Sequence, residues 1–222
     1  MATARDRLVE AAFALFDEQG YDATTVDEIA ERAGTGRTTF FRYFGSKEAV
    51  IFPDHDQLLD QIRGRLASAG RDARPVAVTE AARLVLAHYL EEGELARARY
   101  RLTTTVPALR DRELAGMVQY QRVFRTFIHE WLGGGPESSL RSELMAAAVV
   151  TAHNHVLRTW LRGHTERPLE DFDTAMAEVL ALFDQPAHAP RGSTVVVLRS
   201  SQDLEAVVPQ LRRALREAAL EM

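Results

Sequence analysis

Glycine and proline clusters cut this sequence into blocks, and almost every block repeats its apolar residues every three to four positions, so the chain can fold only as amphipathic helices around shared cores. The breakers are Gly20, Gly34-Thr35-Gly36, Gly45, Gly70 to Pro75, Gly93, Pro107, Gly133 to Pro136, Gly163 to Pro168 and Asp184 to Ser193. In the first block Leu8, Ala12, Leu15 and Phe16 share one stripe, which predicts a helix over 5–19. Thr25-Val26-Asp27-Glu28 is a capping box, so a short helix should run over 26–33 and close at Gly34. A third short helix follows at once. Ser46 then reads as the N-cap of a long helix over 47–69 that carries Pro53 in its early turns, where it can break or kink the helix.

Beyond Gly70, the blocks 76–92, 94–106, 111–132, 138–162 and 170–183 predict five more helices packed as a bundle. One of them keeps Met117, Tyr120, Phe124, Phe127, Ile128 and Trp131 on a single face. Such a stripe serves either as packing core or as a cavity wall. The tail departs from the pattern: 185–193 has linker composition, Thr194 to Leu198 is a β-branched run suited to a strand, and a helix restarted at Pro209 closes the chain. The expected fold class is therefore all-α. An N-terminal three-helix domain (1–50) precedes a helical bundle (51–184) and a strand-plus-helix extension (185–222).

A chain that is 46% hydrophobic and 27% charged can bury a core without staples. The absence of cysteine excludes disulfides, thiolate nucleophiles and zinc ribbons. Residues 1–7 have no apolar run behind them, and the longest apolar stretch, around 144–150, is far short of the roughly 20 residues that span a bilayer. A cytoplasmic location is expected. The net charge of −5 disfavours a nucleic-acid partner only if it is spread evenly, and it is not. From Gly34 to Lys47 there are three basic residues and no acid, and Lys47 is the only lysine in the chain.

On a helical wheel starting at Arg37, Phe40, Phe44 and Phe41 gather on one side, while Thr38, Arg42, Thr39 and Tyr43 gather on the other. One side is aromatic and core-forming; the other is polar, small and cationic. Two short helices joined by a glycine turn form a helix-turn-helix, whose second helix offers its first turns to base edges in the major groove. Small Thr38 and Thr39 permit close approach, and Arg37 has the reach and the paired donors for guanine. Lys47, opening the next helix, suits a phosphate.

Residues 5–52 resemble the DNA-binding domain of the TetR family of transcriptional regulators. The resemblance rests on the helix ending in Phe16, the entry Gly20-Tyr21-Asp22-Ala23-Thr24-Thr25-Val26, Ile29-Ala30 with Ala33-Gly34, and the closing Phe40-Phe41-Arg42-Tyr43-Phe44-Gly45-Ser46-Lys47-Glu48. It implies a DNA-binding regulator, most often a repressor released from a palindromic operator by a small effector. It also implies that Thr25, Tyr43 and Lys47 contact phosphates and that Arg37, Thr38, Thr39 and Phe41 face bases; Arg42 completes the cationic surface. Gly36 stands where the family usually has serine, which gives a weaker cap. In the bundle, the segments around 97–102, 106–110 and 158–161 are similar to the subgroup containing the mycofactocin-system regulator, whose members are associated with acyl-CoA-like ligands. That resemblance implies a homodimer joined through the last two bundle helices. The Tyr120, Phe124, Phe127 face and the His153, Leu157, Trp160 face are both aromatic-rich and suit the walls of an effector cavity, for which the resemblance implies an acyl-CoA or fatty-acid-like ligand. Arg97, Arg99 and Arg101 read as a solvated helix face or, for Arg97 and Arg101, as holders of an anionic head.

A catalytic or metal-binding reading starts from His153-Asn154-His155. Residues two apart on a helix point about 200° apart, so the two imidazoles cannot share an ion. No phosphate loop, nucleophile elbow or HExxH pattern is present, and neither an enzyme nor a cofactor is expected. The alternatives are a helical assembly protein that uses its N-terminal domain for protein contacts and, less favoured, a His-based metal-binding protein. Salt-steep DNA binding separates a regulator from the assembly protein.

Overall fold

A computed structural model describes residues 2–70 and 73–184, and all regular structure in them is helical. The expected strand at 194–198 and the closing helix lie outside the described residues. Three helices come first: α1 (Ala4–Gln19), α2 (Val26–Arg32) and α3 (Arg37–Phe44). A 3₁₀ turn, Glu48–Val50, leads to α4 (His55–Ala67), and α5 (Arg74–Glu92), α6 (Glu94–Thr105), α7 (Pro107–Trp131), α8 (Pro136–Leu161) and α9 (Pro168–Asp184) complete the bundle.

The expected continuous helix over 47–69 is instead two elements. Proline has no N–H and keeps the residue before it out of the helical region, so the chain cannot carry one helix through Pro53. Asp54 restarts it, its carboxylate accepting from Gln57 N at 3.1 Å. Ser46 caps only the short turn, with Oγ accepting from Ala49 N at 3.4 Å. Helices α7 and α8 begin at prolines, where the missing N–H is one the first turn leaves unbonded in any case.

Two hydrophobic cores organise these helices. The first joins Leu8, Ala12 and Phe16 of α1 to Ile29, Phe40 and Phe44, takes in Val50, Ile51 and Phe52 of the connector, and reaches Leu109 on α7. Leu95, Ala98 and Leu102 of α6 pack against it. The second joins Ile62, Leu86, Phe124, Ile128, Met145, Val149 and Phe172 across α4, α5, α7, α8 and α9. Helix α6 thus forms the floor of the first core, and α4 enters the second.

Candidate DNA-reading surface and effector cavity

The turn between α2 and α3 is built from its ends. Thr25 caps α2: its Oγ1 accepts from Glu28 N at 3.3 Å, and a Glu28 carboxylate oxygen accepts from Thr25 N at 2.8 Å. The bond from the Thr25 amide holds the Glu28 carboxyl below the usual carboxylate range. Gly34 follows with φ 65°, a conformation that side chains disfavour, and lets the chain reverse before α3. Gly36 caps α3 without a side-chain hydrogen bond, as its lack of a hydroxyl requires.

Along α3, Phe40 and Phe44 are buried, while Arg37, Thr38, Phe41, Arg42 and Tyr43 are exposed and Thr39 is half-buried. Two residues depart from the wheel: Arg37, which starts near its aromatic side and is exposed, and Phe41, which leans edge-on against Phe40 at 5.6 Å yet stays 40% exposed. The Arg37 guanidinium lies 5.3 Å over the Phe41 ring and bonds both carboxylate oxygens of Asp27, at 2.7 and 2.9 Å. Arg42 stacks on Tyr43 at 5.2 Å. Lys47 does not open a long helix: its Nζ donates to the carbonyls of Tyr21 (2.7 Å) and Thr24 (2.9 Å) and lies 4.2 Å from the Tyr21 ring centre. The Tyr21 hydroxyl in turn donates to Glu48 at 2.9 Å. Lys47 therefore ties the α1–α2 loop to the end of α3 and retains one donor of its ammonium. Asp27 and Tyr21 were not singled out as site residues, because their partners lie ten or more positions away and no local pattern marks them.

A cavity of about 60 Å³ opens between α4, α5, α7 and α8. Of the residues expected at the effector site, Tyr120, Phe124, His153 and Leu157 line it. Phe127 lies on a separate surface groove beside Arg63 and Arg122, and Trp160 is buried beneath the Arg97 guanidinium at 4.7 Å. Arg97 also faces Glu94 at 3.5 Å, and Arg101 lines a crevice against Phe13 and Phe16 of α1. Neither arginine borders the cavity. The polar groups at its wall are others: His55, whose Nδ1 is 2.8 Å from the Tyr120 hydroxyl, Glu113 and Asn154. Burial pushes the Glu113 carboxyl up, the Tyr89 hydroxyl up to about 12 and the His153 ring down to about 4. His153 and His155 do face opposite ways, one buried and one exposed. Among the described residues no group of His, Cys, Asp or Glu is placed to hold a metal ion, and no helix is long and apolar enough to cross a membrane.

Residues 8–53 match the profile of bacterial regulatory proteins of the tetR family, and residues 73–184 match that of the MftR C-terminal domain. The putative mycofactocin biosynthesis transcriptional regulator MftR of Mycobacterium tuberculosis is 27% identical over 191 residues, covering 83% of this chain and 93% of that protein. The HTH-type transcriptional regulator TcmR of Streptomyces glaucescens is 29% identical over 184 residues, 79% of this chain and 80% of that protein. Among solved structures, the SmeT–triclosan complex superposes with a TM-score of 0.60 at 18% identity, covering 89% of this chain and 99% of that one. A TetR-family regulator from Syntrophomonas wolfei gives 0.62 at 17% identity, covering 81% and 94%.

Proposed function

The chain belongs to the TetR family of bacterial regulatory proteins and is a DNA-binding transcriptional regulator, and from that premise we propose how it reads DNA and what releases it. Residues 1–50 read the operator, 51–184 hold the effector and the dimer contacts, and the protein acts in the cytoplasm as a repressor. The observation that carries the reading is the division of α3: Phe40 and Phe44 anchor it while Arg37, Thr38, Phe41, Arg42 and Tyr43 stand exposed. Arg37, Thr38, Thr39 and Phe41 face bases; Thr25, Arg42, Tyr43 and Lys47 face phosphates. On DNA, Arg37 exchanges one carboxylate oxygen of Asp27 for a guanine edge, and Asp27 keeps the guanidinium aimed.

Two recognition helices must reach successive major grooves, roughly 34 Å apart, and each subunit carries one. A homodimer supplies the second. Its contact lies on α8 and α9, where Leu140 and Leu144, one turn apart, are 66% and 54% exposed. Sedimentation at micromolar concentration should therefore give twice the 24.8 kDa chain mass; a single species at the chain mass would sink this assignment.

The effector occupies the cavity between α4, α5, α7 and α8. Helix α4 links it to the DNA-reading domain, because the connector that precedes α4 is part of the first core. Release follows if the ligand binds better to a spacing of the recognition helices that does not fit the operator. The apolar wall supports an apolar effector body. With Arg97 and Arg101 away from that wall, nothing in their placement supports the anionic head of an acyl-CoA.

The operator itself comes from selection out of a random DNA pool. On it, Lys47→Ala and Tyr43→Phe should weaken binding about equally for all sequences, since phosphates carry no sequence code, and Lys47→Ala should reduce the salt slope by about one. Arg37→Ala and Thr38→Ala should instead change base preference, each lost base contact costing about 1–3 kcal/mol. A Lys47→Ala protein that prefers a different sequence with its salt slope intact would overturn the division of roles.

A further inference from the structure

Inside the cavity the protein leaves one polar atom unpaired. His153 is 7% exposed and stands edge-on to Phe172 with ring centres 6.3 Å apart. Its Nδ1 is buried without a partner. In the neutral ring one nitrogen donates and the other accepts, and a hydroxyl, which can do either, satisfies Nδ1 in both cases. Among the described residues lining the cavity, this is the one buried nitrogen or oxygen with no partner.

The rest of the wall fixes what else the ligand must be. His55 and Tyr120 satisfy each other, and Asn154 Nδ2 reaches Met117 Sδ at 3.6 Å. No lysine or arginine lines the cavity, while a carboxyl does, so an anion meets no counter-charge there. The rings of Tyr89, Tyr120 and Phe124 supply flat apolar surface. A volume of about 60 Å³ is several times the space of a single water, which occupies about 10–15 Å³ on that measure, so a ligand larger than water has room.

We propose that the cavity takes a small uncharged phenol, its ring among the aromatic walls and its hydroxyl hydrogen-bonded to Nδ1 of His153. The inference rests on the effector reading above and names the chemistry of that site.

The test uses the full chain and three probes: phenol, toluene (a methyl in place of the hydroxyl) and benzoate. Binding is read by calorimetry and operator release by fluorescence anisotropy of labelled DNA. In the wild type, phenol should bind and benzoate should not. On His153→Phe, which keeps a ring and removes the unpartnered nitrogen, the ratio of phenol to toluene affinity should fall about ten-fold or more. Independently of that variant's folding, the nitrogen-15 resonance of His153 Nδ1 in the wild type should shift with phenol and stay in place with toluene. An unchanged ratio, an Nδ1 signal that ignores phenol, tighter binding of benzoate, or no binding of any probe, which would leave the cavity to water, overturns the proposal. Phenol bound at His153 with operator affinity unchanged supports the ligand assignment and removes the regulatory reading. Operator release by a long-chain acyl-CoA in a protein that ignores phenol does the reverse.

Discussion

Replacing Arg99 by methionine should destabilise the chain by about 3–5 kcal/mol, the range for removing one member of a buried ion pair. Arg99 is 4% exposed on α6. Its guanidinium makes a two-pronged pair with Glu92 at the end of α5, at 2.5 and 2.7 Å, lies over the Tyr89 ring at 5.5 Å, and donates through Nε to the Ile51 carbonyl at 2.5 Å. One planar group thus ties α5, α6 and the connector between the two cores. Methionine fills much of the volume and satisfies neither acceptor, leaving a largely buried carboxylate and a carbonyl without their donor. The double replacement Arg99→Met with Glu92→Leu should recover much of the loss in urea denaturation, because no charge then stays unpaired. The Ile51 carbonyl is still without Arg99 in that protein, so effector-driven operator release should stay weakened while stability returns. A single variant that loses less than about 1 kcal/mol, or a double variant no more stable than the single, would show that the pair has no such role.

How far the sequence carried these conclusions depends on whether the deciding interaction was local. The Thr25 to Glu28 box started α2 at Val26, and Gly45 ended α3 after Phe44, because caps involve residues three or four apart. Pro53 is visible too, yet whether it kinks or breaks the helix depends on Asp54 being free to cap a new one. Period placed Tyr120, Phe124 and Phe127 on one face of α7 but not at one depth. Where α4 and α5 cross that face decides that Phe124 borders the cavity while Phe127 lies on an outer groove. His55, Glu113 and Asn154 belong to no stripe, and nothing in the sequence points to them. The Arg37 to Asp27 pair and the Lys47 bonds to Tyr21 and Thr24 are tertiary contacts, outside the reach of any local pattern. For Arg97, resemblance suggests an anionic ligand, whereas packing gives it the face of Trp160.

Phe40→Ala should abolish operator binding while leaving the effector domain folded. Phe40 is fully buried on the inner side of α3, in contact with Phe41 and Phe44 at 5.6 and 5.4 Å between ring centres. Truncating such a side chain costs about 3–5 kcal/mol in transfer free energy and residual cavity. That is a large fraction of what a core held by three short helices can supply. The loss should stay local, because the two cores are separate clusters and share no buried residue. The second core keeps Phe124, Ile128, Val149 and Phe172, so the dimer contacts and the cavity persist. Only the rim of the first core, Leu109 and the α6 residues packed beneath it, should loosen with it. The expected record is fast amide exchange across residues 8–53, retained protection from α7 through α9, and a thermal melt split into two transitions. Tyr43→Phe, which alters an exposed side chain of the same helix, should leave that melt a single step and change affinity alone. Operator affinity within about ten-fold of the wild type in Phe40→Ala would mean that the anchor of α3 lies elsewhere than in this aromatic core.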